Sequence, residues 1–268
     1  MSEKSKKEYA EEVARLVGGE AREVGKANGI TLEGVTLIVG NNTAVRPTIY
    51  LDKMYEDGMT VEECAREVKE VAERSKIEIP DISYIYDFGR VKDNLRLRLY
   101  HNSTNAEIFR SAKEYGFDDL ISIPYLEGII PNGSARVTLS MIDIWGVTED
   151  ELFEEASKAK DYEILPLYKI LMETMRLSEK DIDSSMQFPV FVVTNEQRSY
   201  GAFAVIALQD RLKTMFPSGY IVIPSSVHET IVLPRDSADI KTVDSMVKDV
   251  NEEYVCREEV LSNRAYIF

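Results

Sequence analysis

Leu95-Arg96-Leu97-Arg98-Leu99 alternates apolar and basic side chains at every step, the period of a β-strand whose successive side chains leave on opposite faces. One face is leucine and the other arginine, so the pattern predicts a half-buried strand with Leu95, Leu97 and Leu99 inside and Arg96 and Arg98 in water. A second β-rich run at residues 188–193 is expected in the same sheet. Arg90 and Lys92 lie just upstream, and together with Arg96 and Arg98 they form the one concentrated basic feature of an acidic chain. Arg96 and Arg98 are therefore candidate binding residues for an anion or an acidic partner. Basic side chains also keep an exposed edge strand from mispairing, and their long stems cover apolar surface, which needs no ligand.

Working outward, the apolar spacing of Tyr9, Val13, Leu16, Val17 and Val24 predicts an opening helix over residues 9–24, with Gly18 and Gly19 weakening its middle. Residues 35–39 and 48–51 read as a hairpin around Gly40-Asn41-Asn42. Thr60-Val61-Glu62-Glu63 and Thr148-Glu149-Asp150-Glu151 are capping boxes that open helices. Residues 82–86, 120–126, 137–144, 188–193, 220–223, 230–233 and 265–268 read as strands, while 105–115, 164–175 and 238–251 read as helices, with Gly116 at a C-cap position. Residues 201–216 hold a helix, and Ser178 begins a further short cap. Several neighbouring strands are joined by turns too short for anything but antiparallel pairing. The fold class is α/β of the α+β type, a mixed, partly antiparallel sheet with helices on its faces, in a single unit of residues 1–268 whose weakest point is 87–94.

The 268 residues carry 32 basic and 47 acidic side chains, a net charge of -15. Such a charge repels a phosphate backbone, so direct nucleic-acid binding is not expected, and a protein partner with a basic surface is. The acids Glu149, Glu151, Glu154 and Glu155 of the second capped helix are candidate binding residues, and Trp145 is a candidate interface anchor. The start of the chain is charged and has no apolar h-region, and the longest apolar run, residues 202–208, is far short of the roughly 20 that cross a bilayer. A cytoplasmic chain without membrane contact is the expectation. Cys64 and Cys256, the two cysteines, form no C-x-x-C pair and read as buried, inert thiols.

No phosphate-binding loop, dinucleotide fingerprint, nucleophile elbow or H-E-x-x-H motif occurs. With His101 and His228 as the two histidines, a multi-histidine metal site is excluded, and neither metal nor cofactor is expected. The densest candidate for catalysis is Pro224-Ser225-Ser226-Val227-His228-Glu229, a turn between two short strands. Ser225 or Ser226 would be the nucleophile, His228 its base and Glu229 the orienter. Adjacent residues on an extended segment point to opposite sides, so Glu229 is poorly placed to orient His228. The competing reading has the serines satisfying turn amides and His228 making a structural hydrogen bond.

Arg46-Pro47-Thr48-Ile49-Tyr50-Leu51, Phe117-Asp118-Asp119-Leu120, Ile144-Trp145-Gly146-Val147, residues 189–196, the Pro-Ser-Ser-Val-His-Glu turn before Leu233-Pro234, and Leu261-Ser262-Asn263-Arg264-Ala265-Tyr266 occur in this order. Together they resemble a bacterial domain-of-unknown-function family of anaerobic gut bacteria. The resemblance implies a shared fold and a bacterial or mobile-element source, and it brings no activity to carry onto these positions. Three functions compete: a noncatalytic interaction module, of the type that inhibits or decoys a basic nucleic-acid-binding partner; a hydrolase-like enzyme centred on Ser226 and His228; and an anion sensor at Arg96 and Arg98.

Overall fold

The computed structural model describes residues 4–37, 46–74, 83–129, 133–176 and 189–268. The chain forms two compact units, Met1–Ile82 and Ser83–Phe268.

In the first unit, helix α1 (Lys6–Val17) is opened by Ser5, whose side chain accepts from the Glu8 amide while the Glu8 carboxylate accepts from the Ser5 amide. It buries Tyr9, Ala10, Val13 and Ala14. The helix expected to run to Val24 stops instead at Gly18, which closes it in the left-handed region at φ 71°. Gly19 then lies flat on a strand: a Cβ there would be 2.7 Å from Val35 Cγ1 and 2.8 Å from the Thr36 carbonyl oxygen. Strand β1 (Glu20–Gly25) follows and pairs antiparallel with β2 (Thr31–Thr36), which pairs with β3 (Thr48–Tyr50). The expected β2–β3 hairpin is formed; its turn at 40–42 lies outside the described residues. A short helix α2 (Asp52–Glu56) leads to α3 (Val61–Arg74), opened by the Thr60 capping box as expected, with Glu63 Oε2 2.9 Å from the Thr60 amide. Tyr9, Val13, Val35, Leu51, Cys64 and Val68 meet in this unit's core.

In the second unit, residues 83–86 form a 3-10 turn where a strand over 82–86 is expected, and helix α4 (Phe88–Val91) follows. The alternating stretch forms strand β4 (Leu95–His101). The helix expected over 105–115 is replaced by a short strand, β5 (Arg110–Ser111), and a 3-10 turn that ends at Gly116 with φ 93°. Both β4 and β5 pair with β6 (Leu120–Glu127), so ladder bonds to a neighbouring strand override local helical spacing. Strand β7 (Ser134–Arg136) extends this sheet; the expected strand over 137–144 is instead helix α5 (Leu139–Trp145), capped by Thr138 and closed by Gly146 at φ 65°.

Helix α6 (Glu149–Ser157) packs on β4, then β8 (Tyr162–Pro166) runs into α7 (Leu167–Met175). After β9 (Phe191–Asn195) come α8 (Ala204–Ala207), α9 (Gln209–Met215), the hairpin β10 (Tyr220–Ser226) and β11 (Glu229–Pro234), α10 (Ile240–Tyr254), and β12 (Tyr266–Ile267). The sheet order β12-β10-β11-β9-β8 is separate from β4-β6-β5. The expectation that residues 95–99 and 188–193 share one sheet is therefore corrected; residue 188 itself and the short cap at Ser178 lie outside the described residues. Every pairing among the described strands is antiparallel, and the fold is α+β. Among the described residues no helix is long and apolar enough to cross a membrane.

The chain's end is clasped to the loop before β6. Asp119 accepts from Ser262 Oγ at 2.8 Å and from the Tyr266 hydroxyl, and Arg264 stands 3.5 Å away. Burial alone would raise the Asp119 pKa, but the Tyr266 and Ser262 hydrogen bonds and the Arg264 charge together hold it below the ordinary carboxylate value. A folded-state pKa below the unfolded one contributes stability that is present above the ordinary aspartate pKa of about 4 and lost as pH falls through the folded value. Asp119→Asn is therefore expected to flatten the fall in stability below about pH 4, followed by urea unfolding across a pH series. Identical slopes for variant and wild type would show that this carboxylate does not couple folding to pH.

Candidate functional site

Strand β10 ends and β11 begins at the Ser226↔Glu229 pair, beyond a register shift after Ile223. The shift turns the chain sharply, and Ser226 Oγ accepts from the His228 amide at 3.1 Å. The imidazole is held from both sides. Nδ1 accepts from the Tyr200 amide at 3.0 Å, which places the ring proton on Nε2, and Nε2 faces Glu259 Oε1 at 3.3 Å. Glu259 is also tied to the turn through its carbonyl, which accepts from the Val227 amide at 2.9 Å. The acidic partner of His228 is thus Glu259 and not its neighbour Glu229, as the opposite-face argument requires of Glu229. Ser226 is bonded to the backbone of residue 228 rather than to its ring, and Ser225 and Glu229 make no side-chain hydrogen bond among the described residues. The four candidates lie together in sequence without forming the nucleophile–base–orienter chain that activation needs.

The His228 ring packs on Tyr200, with centroids 4.9 Å apart, and Tyr200 packs on Arg98, whose guanidinium carbon lies 3.8 Å from the phenol centroid. On its other side Arg98 lies 4.1 Å from the Tyr125 ring centroid. Its Nε and Nη2 donate to Glu127 Oε1 at 2.9 and 2.6 Å, and Nη2 also donates to Ser134 Oγ at 2.7 Å. The Leu95, Leu97 and Leu99 face of β4 is buried as expected, but Arg98 is only 5% exposed, which corrects its expected solvent exposure. Arg96 is half-buried as well, with Nε 3.1 Å from Asp161 Oδ1. The reason is that the arginine face is roofed: Tyr125 comes from β6, and Tyr200 from the loop after β9. Tyr100 on the same face is buried beside Tyr125, with hydroxyls 3.4 Å apart, and burial pushes its phenol pKa well up.

The loop that delivers Tyr200 is constrained. Arg198 and Tyr200 both sit at φ 51°, in the left-handed region that costs a non-glycine residue about 1 to 3 kcal/mol and persists only where surroundings enforce it. Asn195 does so by donating Nδ2 to the Ser199 carbonyl at 2.9 Å and accepting the Ser199 amide on Oδ1 at 3.0 Å. Arg98 and His228, separate candidates in the sequence, are joined through Tyr200, a residue no linear motif marks.

The second candidate region is α6. Its capping box is formed, and the Thr148 backbone and side-chain hydrogen bonds lower the Glu151 pKa. Glu149, Asp150, Glu151 and Glu154 are exposed and Glu155 is half-buried, while Lys158 pairs with Glu154 at 3.2 Å and Glu155 at 2.7 Å. Arg110 ion-pairs with Asp150 and lies 4.3 Å over the Phe153 ring. Between α6 and the 3-10 turn after β5 is a cavity of about 370 Å³ whose charged wall is Arg110, Glu114, Asp150 and Glu154. A second cavity of about 410 Å³, lined by Tyr162, Ile206 and Leu208, shares Tyr115, Ser157 and Phe203 with it. Among the described residues no three His, Cys, Asp or Glu side chains gather closely enough to hold a metal ion.

A family profile described as a family of unknown function, DUF5688, matches residues 2–268. The chain belongs to that family. No curated protein and no solved structure matches it. Two of the segments that carry the family resemblance are bonded to each other: Asp118 ion-pairs with Arg264, Asp119 accepts from Ser262 and Tyr266, and the Phe117 and Tyr266 rings meet edge to face at 4.8 Å. Another, Ile144-Trp145-Gly146-Val147, closes α5. There Trp145 is half-buried, donates Nε1 to the Ile85 carbonyl at 2.8 Å and packs on Phe88 at 5.5 Å. Cys64 is buried, but Cys256 is exposed, which corrects its expected burial.

Proposed function

We propose that this DUF5688 protein is a noncatalytic interaction module that captures a protein partner with a basic surface, and that it acts as an inhibitor or decoy of a nucleic-acid-binding protein by occupying that partner's positive groove. The observation that carries this reading is the face of α6, where Glu149, Asp150, Glu151 and Glu154 stand exposed within two turns, with Lys158 and Arg110 as their counter-charges. The net charge of -15 has the same sign as that face. The hydrolase reading has less support, because both nitrogens of His228 and the hydroxyl of Ser226 are already engaged within the turn. The anion-sensing reading has less support because Arg98 is already neutralised by Glu127.

The test is affinity capture of the tagged full chain from a bacterial lysate at low ionic strength, with mass spectrometry of what elutes with salt. Wild type is expected to retain a basic nucleic-acid-binding protein that Glu149→Lys/Glu154→Lys does not. Glu151 is left in place because its carboxylate completes the capping box, and losing a cap costs about 1 kcal/mol of helix stability. Equal recovery by wild type and variant would remove the α6 face from the proposal.

A further inference from the structure

We infer that the two adjoining cavities beside α6 form one groove that takes a basic and an apolar side chain from the same partner segment. This rests on the interaction-module reading and names how that module would grip its partner.

The two ends of the groove differ in chemistry. At one end three carboxylates, Glu114, Asp150 and Glu154, face one guanidinium, Arg110. Arg110 is already committed: it ion-pairs with Asp150 and lies on the Phe153 ring, so it neither neutralises Glu114 nor leaves to make way for an anion. Lys158 also reaches Glu154, but at 3.2 Å across exposed side chains, the type of pair worth about 0 to 1 kcal/mol and readily exchanged for a partner's cation. A lysine or arginine side chain therefore gains carboxylate partners at this end. The other end is walled by Tyr162, Phe203, Ile206 and Leu208, with Lys160 as its one charged residue. An apolar side chain gains burial there, and a second cation would meet Lys160. Polarity along the groove thus fixes which anchor goes where.

Size agrees with this assignment. Cavities of about 370 and 410 Å³ both fall within the range of roughly 300 to 1,000 Å³ typical of clefts that enclose ligand-sized groups. Their shared wall of Tyr115, Ser157 and Phe203 sets the two anchors beside each other rather than on opposite sides of the unit. Phe203 is buried and gives the junction a rigid floor, while Ser157 is exposed. The partner class is a protein segment with one apolar and one basic residue a few positions apart, which is what an exposed loop or helix on a nucleic-acid-binding protein presents.

The experiment uses the full chain and capped, fluorescein-labelled peptides that carry Leu and Arg separated by zero to three alanines, with matched peptides in which Leu is alanine or Arg is glutamate. Binding is read by fluorescence anisotropy. At least one spacing is expected to bind about tenfold or more tighter than both single-anchor controls, a difference of about 1.4 kcal/mol. Glu114→Lys/Glu154→Lys is expected to remove that advantage while leaving the weak binding of the Leu-only peptide unchanged. Ala207→Trp, at an exposed position in the apolar end, is expected to reduce the two-anchor peptide to the level of the Arg-only peptide. All three positions are exposed, and thermal melts of the variants serve to check that each remains folded. The groove is overturned if no peptide binds, if both controls bind as well as the two-anchor series, or if neither variant changes the ranking. Should the lysate yield a basic partner that both variants still retain, the groove is wrong while the interaction module stands.

Discussion

Arg98→Met is expected to lower the unfolding free energy of the second unit by about 3 to 5 kcal/mol, the cost of breaking a buried ion pair by removing one partner. The arginine is 5% exposed, and its departure leaves the Glu127 carboxylate, three-quarters buried, without the cation that pairs it. It also removes the cation that Tyr125 and Tyr200 enclose at 4.1 and 3.8 Å. Arg98→Lys is not expected to restore stability, because an ammonium cannot fill the flat space between two phenol rings or donate from two nitrogens to one carboxylate oxygen. Pairing Arg98→Met with Glu127→Leu is expected to recover part of the loss, since removing both charges also removes the desolvation penalty. Equilibrium urea unfolding measures all four proteins. A loss below about 1 kcal/mol for Arg98→Met would mean that this arginine does not act as a core residue, and would return it to the candidates for ligand binding.

Gly201→Ala is expected to cost about 2 to 3 kcal/mol, the upper part of the range for overpacking, because the added methyl meets a backbone amide and a short side chain that is itself hydrogen-bonded. An alanine Cβ would stand 2.5 Å from the Asn195 amide nitrogen and 2.5 Å from Thr194 Oγ1. Neither atom is free to move: Thr194 Oγ1 donates to the His228 carbonyl at 2.8 Å, and Asn195 is paired with Tyr162 in the β8–β9 ladder. Displacing this point shifts Tyr200, one residue earlier, away from both Arg98 and His228. The near-ultraviolet circular dichroism of the tyrosines should therefore change together with the urea midpoint. An unchanged midpoint would show that the loop accommodates the methyl and that its strained residues are not held by this contact.

The parts of this fold legible in the sequence are those fixed by local rules. Thr60 and Thr148 announce α3 and α6 because a hydroxyl and a carboxylate three residues apart satisfy free helix amides whatever the rest of the chain does. The period of Leu95 to Leu99 gives the strand and its apolar face. What fails is each inference that needs the neighbour across the sheet. Arg98 looks solvated because its partners, Tyr125, Glu127, Ser134 and Tyr200, arrive from positions 27 to 102 residues further on. Residues 105–115 have helical spacing, yet Arg110 and Ser111 pair with Ser122 and Ile121 instead. Residues 137–144 are β-rich in composition, but Thr138 and Gly146 supply the two caps of a short helix, a signal present in the sequence that outranks composition. At the candidate site, the turn and its histidine were visible and Glu259 was not, since nothing local links it to position 228. The groove beside α6 was equally hidden, because Glu114, Glu154 and Phe203 come from three separate segments.

If charge on this molecule serves capture, as proposed, the rate at which it associates with a basic partner must fall as ionic strength rises. Between about 0.1 M and 1 M salt the Debye length shrinks from about 10 Å to about 3 Å, so steering by an acidic face is lost while short contacts persist. For the protein captured from lysate, stopped-flow association is predicted to slow at least tenfold over this range while dissociation changes little, and Glu149→Lys/Glu154→Lys is predicted to slow it already at low salt. An association rate that stays flat across the salt series, with the variant equal to wild type, would mean that the acidic face of α6 does not steer this protein to its partner.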